Sequence, residues 1–71
     1  MSVETPKAQD VVDDVTGRLA SEFSTKLSPA AVGVIVRATH RELQEQIVPE
    51  AIGEMLHRLA RHRIARVVRV L

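Results

Sequence analysis

Three histidines, three of the four serines and seven clustered basic side chains are the residues of this chain whose types and spacing could do chemistry. His40, His57 and His62 are the side chains that titrate near neutral pH unaided. Two ligands on one helix meet a metal when they stand three or four residues apart. His57 and His62 are five apart and diverge by about 140° at 100° per residue. His40 with Glu42 or Glu45 has no zinc-site spacing either, so all three read as surface or helix-boundary histidines. Ser21, Ser24 and Ser28 cluster around a break between helical patterns. No Gly-x-Ser-x-Gly elbow and no phosphate-cradling glycine loop accompanies them. Gly17, Gly33 and Gly53 stand singly inside helical patterns, where they permit close packing. With no cysteine in the chain, thiolate nucleophiles, thiol redox chemistry, disulfides and Cys-based zinc sites are excluded. The expectation is a protein that is not an enzyme and needs no metal or other cofactor.

The basic residues pose a sharper question. LHRLARHRIARVVRVL (56–71) carries seven arginines and histidines and no acid. A basic third helix suits a helix-turn-helix-like DNA-binding regulator, with Arg58, Arg61, Arg66 and Arg69 as the contacting residues. Against that, the pI of about 8.4 is modest for an electrostatic footprint. Asn is absent, Gln is absent from this segment, and there is no Tyr or Trp to stack on bases. Arginines also suit the negative end of any helix dipole. Nucleic acid is therefore the alternative partner and not the expected one. Without an interfacial Trp or a second anchoring signal, a membrane-surface role ranks lower still.

These residues must be held by a very small fold. Seventy-one residues make at most one domain, and 45% hydrophobic with 27% charged content suits a folded chain. Phe23 is the sole aromatic, so burial falls to Val, Leu, Ile, Ala and Met. Chains under about 70–80 residues rarely gain more than a few kcal/mol from one core without a staple. Since disulfides are excluded, self-association is the common remedy left. Charge is unevenly spread. Up to Glu54, five bases face nine acids, a net of −4; from Met55 onward five arginines face none, a net of +5. The two parts can attract each other within a chain or between chains. The longest unbroken apolar run, AAVGVIV (30–36), is far below the ~20 residues that span a bilayer. The acidic MSVETPKAQDVVDD start has no apolar signal region, so a cytoplasmic protein without a membrane partner is expected.

Punctuation divides the chain into a flexible tail (1–7) and a helical domain (8–71). Ala8, Val12, Val15, Leu19 and Phe23 repeat at intervals of three and four, the mark of one helical face. Ser28-Pro29 reads as an N-cap followed by proline at the first helical position. Val32, Ile35, Val36, Thr39, Leu43 and Ile47 form the stripe of the second helix. Pro49 closes it or opens a third, whose stripe is Ile52, Leu56, Leu59, Ala60, Ile64 and Val67. No segment alternates with period two. The predicted fold is an all-α three-helix bundle.

Apolar residues outnumber what one core needs. On the third helix they spread over roughly half the circumference. On the second, Ala30, Ala31, Val34 and Ala38 form a separate small-residue face. The expected intramolecular core is Val12, Val15, Leu19, Phe23, Val32, Ile35, Leu43, Ile52, Leu56 and Leu59. The surplus surface, Ala31, Val34, Ala38, Ile64, Val67, Val68 and Leu71, is assigned to a homodimer interface. Arg63 falls inside the apolar stripe. It is expected either to snorkel past the bundle end or to pair with a carboxylate such as Asp13, Asp14 or Glu22, from the first helix or from a second subunit.

RLASEF (18–23), LSPAAVGVIVRATHREL (27–43) and EMLHRLARHRI (54–64) follow one another in an order that resembles the actinobacterial three-helix bundle dimerisation domain. The resemblance covers about residues 10–66 and rests on apolar spacings and caps. It implies a non-catalytic homodimerisation or protein-protein interaction module. In that family the domain occurs alone or ahead of arsenate reductases and low-molecular-weight phosphatase-like enzymes. The resemblance thus implies a partner enzyme of that kind, with catalysis in a separate domain. The ARVVRVL ending and the tight IVPEA link depart from the family's usual pattern.

Overall fold

The computed structural model describes residues 7–46 and 49–71. Three helices make up the fold: α1 (Lys7–Glu22), α2 (Pro29–Gln44) and α3 (Pro49–Val70). The proposed tail lies outside the described residues except for Lys7, which already belongs to α1. Ile47 of the expected α2 stripe lies outside them as well.

Each boundary has a local cause. α1 ends in a run of turns, with the Leu27 amide donating to the Phe23 carbonyl (2.9 Å). Ser28 then caps α2: its Oγ accepts from the Ala31 amide at 3.2 Å, and Pro29 occupies a position whose N–H would be unbonded anyway. α3 likewise opens on a proline.

Helix directions follow from side-chain contacts. Val11 lies against Gly53, and further along both helices Glu22 reaches Arg61, so α1 and α3 run parallel. α2, joined to α1 by a short turn, runs against both. The order is up-down-up.

Between the helices lie Val12, Val15 and Leu19 of α1, Val32, Val36 and Leu43 of α2, and Ile52, Leu56, Ala60 and Ile64 of α3. Burying each large aliphatic side chain is worth roughly 1.5–3 kcal/mol against leaving it exposed. Seven of the ten expected core residues are buried, while Phe23, Ile35 and Leu59 are half-buried against the core. Ile64 corrects the expected interface: it is fully buried inside the bundle and unavailable to a second copy. Val68, also assigned to the interface, is half-buried against the same core. His40 corrects the surface reading of the histidines, being only 8% exposed. Gly33 is buried where α2 crosses α1, near the Thr16 methyl and beneath the Arg37 guanidinium.

Candidate interaction surface

Beyond Ile64 one side of the last turns of α3 is exposed, while Val68 stays half-buried against the core. Val67 is 37% exposed, Val70 81% and Leu71 80%; Arg66 and Arg69 are exposed beside them. Val34 on α2 is 59% exposed, with Ala38 exposed and Ala31 half-exposed on the same side. Of the residues expected at an interface, the structure therefore leaves Ala31, Val34, Ala38, Val67 and Leu71 on the surface. Val70, given no such role by the sequence reading, is the most exposed large apolar residue described. Its position in the helical repeat, seven residues beyond Arg63, is the signal that would have found it.

Two stripes border the seam between α2 and α3. Ala31, Val34 and Ala38 continue along α2 into Arg41, Glu42 and the C-cap residue Glu45, at intervals of three and four. Met55, Leu59, Arg63, Arg66 and Val70 follow the same rule along α3. Because the helices are antiparallel, Val67 and Val70 stand at the Ala31 end, while Met55 stands at the Glu45 end.

An ion pair crosses the middle of this seam. Arg63 donates from Nη2 to Glu42 Oε1 at 2.8 Å and from Nη1 to Glu42 Oε2 at 3.0 Å, a bidentate fork. Nη1 also donates to the Thr39 hydroxyl (3.2 Å), which in turn donates to the Ile35 carbonyl (2.7 Å). The carboxylate that meets Arg63 thus comes from α2, correcting the expected Asp13, Asp14 or Glu22 of the first helix. Hydrogen bonding from Arg63 holds the Glu42 carboxyl below its usual range and pushes the guanidinium up.

The histidines and the remaining arginines of α3 lie elsewhere. An open groove of about 660 Å³ between α1 and α3 is lined by Arg18, His57, Arg58, Arg61 and His62 together with Asp14 and Glu54. Arg61 donates from Nε (2.8 Å) and Nη2 (2.6 Å) to Glu22. Arg58 meets Glu54 at 3.5 Å, and Arg18 meets Asp14 at 3.2 Å. Hydrogen bonding from Arg61, helped by its charge and that of His57, holds the Glu22 carboxyl below its usual range. Two of the four arginines of the DNA reading, Arg58 and Arg61, are therefore committed to carboxylates of the chain itself. Arg66 and Arg69 make no ion pair among the described residues. Among those residues there is also no group of three metal-ligating side chains, and no helix long and apolar enough to cross a membrane.

No family model, curated protein or solved structure matches this chain.

Proposed function

We propose that the chain is a non-catalytic homodimerisation module, and that the α2–α3 face is where two copies meet. The observation that carries this reading is the exposed apolar surface of Val34, Val67, Val70 and Leu71 beside the small residues Ala31 and Ala38. Single exposed valines are ordinary on a monomer. Here Val34 and Val70 stand on the two stripes that border one seam, in a bundle with one aromatic, no disulfide and, among the described residues, ten buried apolar side chains. Such a bundle gains most from burying a second apolar face. A phosphatase-like or arsenate reductase-like enzyme as a further partner belongs to the same reading and rests on the resemblance alone.

The test uses Val34→Glu/Val70→Glu, since both side chains face solvent and neither fills the core. The double variant should keep its helical circular dichroism and sediment as a monomer under conditions where the parent chain is dimeric. A variant that dimerises as tightly as the parent would move the interface elsewhere. The competing regulator reading predicts duplex binding that weakens steeply with salt and is lost in Arg66→Ala/Arg69→Ala.

A further inference from the structure

The surface along the α2–α3 seam carries an excess of free positive charge. Arg41 stands one turn before Glu45 on the α2 stripe of Val34 and Ala38, and Arg66 stands between Arg63 and Val70 on α3. Arg69 follows one turn later, at the flank of Val70. All three arginines are exposed, and none makes an ion pair among the described residues. Against them the same described surface offers one free acid, Glu45, because Glu42 is already held by Arg63. Three cations against one acid leave an excess of two charges per copy.

A twofold contact doubles whatever charge a surface carries, in any orientation. Two copies meeting here bring six free arginines together with two free glutamates. Like charges opposed across a contact cost affinity. Val34, Val67 and Val70 draw the copies together, and anions gathered between the arginines remove that cost. Simple salt does part of this: at 0.1 M the screening length is about 10 Å, roughly the width of a helix. A multivalent oxyanion does more. Its oxygens accept charge-assisted hydrogen bonds from guanidinium forks, and one anion can serve two arginines. Arg66 lines a shallow hollow of about 340 Å³ with Arg63, Val67 and Val70, so an anion held there lies beside the apolar contact.

We propose that dimerisation on this surface takes up anions, with multivalent oxyanions such as inorganic phosphate, held by Arg41 and Arg66, the most effective class. This rests on the dimer reading above and adds the control of that dimer by its ionic surroundings. Self-association then strengthens with salt, the reverse of duplex binding in the competing reading, which weakens.

Sedimentation equilibrium of the full chain in sodium chloride and in sodium phosphate, at equal pH and ionic strength, reads the effect. The parent should dimerise about tenfold more tightly in phosphate. Arg41→Gln/Arg66→Gln, whose helices are checked by circular dichroism, should dimerise more tightly than the parent in dilute chloride and lose most of the phosphate gain. Phosphate also strengthens apolar contacts in general, and that part survives in the variant. A parent dimer indifferent to the anion would overturn the inference while the dimer reading stands, and so would an equal phosphate gain in parent and variant. A chain that sediments as a monomer in both anions would remove the dimer reading and this inference together.

Discussion

Arg63 sits within the stripe of α3 that the apolar side chains occupy, yet it is held there by a bidentate bond to Glu42 and a third bond to Thr39. With the Glu42 side chain 54% exposed, the pair is a register device more than a source of stability. It carries a pH signature. Glu22 and Glu42 both have carboxyl groups held below the ordinary value of 4.5 by their arginines. A depressed carboxyl adds stability that is full above its unfolded value and lost as pH falls through its folded value. Acid titration followed by circular dichroism should therefore show stability declining below about pH 4.5. Glu42→Gln should lie below the parent at neutral pH and converge with it in acid. A constant gap at all pH values would show that the pair does not titrate with folding. Thr16 offers a second residue-scale test. Its Oγ1 is buried without a partner, and in Thr16→Val the penalty for that desolvated hydroxyl disappears. The variant should melt higher, and a lower melting temperature would mean that the hydroxyl has a partner in solution.

At the scale of the helices, Ser28 and Gly17 make opposite predictions. Ser28 caps α2 through the Ala31 amide, so Ser28→Ala should cost about 0.5–2 kcal/mol in denaturant unfolding. Gly17 is exposed in the middle of α1, and a Cβ built there meets nothing. Gly17→Ala should gain up to about 1 kcal/mol. If it destabilises the chain instead, the Gly17 face is covered by something in solution. The helices are legible in the sequence because their signals are local. The repeat from Val12 to Leu19, the Ser28-Pro29 cap and the opening Pro49 each act within a turn or two. Partners across helices are not legible. The period of α3 places Arg63 among apolar residues but does not say that Glu42 of α2 lies opposite. Nor does it say that the bundle closes over Ile64 and leaves Val70 outside. The burial of His40 is hidden for the same reason, since it depends on how the helices pack and not on the neighbours of His40 in the chain.

At the scale of the whole molecule, the question is whether a bundle with ten buried apolar side chains among its described residues is complete by itself. Its extents are 43 × 24 × 15 Å, and its radius of gyration of 12.4 Å exceeds the roughly 11 Å typical of a chain this long. A flat, elongated shape leaves much of each helix on the surface, which is how an apolar seam comes to be exposed. Folding coupled to dimerisation would make the melting temperature rise with protein concentration. The candidate site as a surface is legible from the surplus of apolar residues. The most direct measurement is sedimentation equilibrium of the unaltered chain across a wide dilution series. A reversible species of twice the 7.9 kDa chain mass, dissociating as the protein is diluted, is the predicted result. A folded 7.9 kDa monomer at the highest concentration would contradict it.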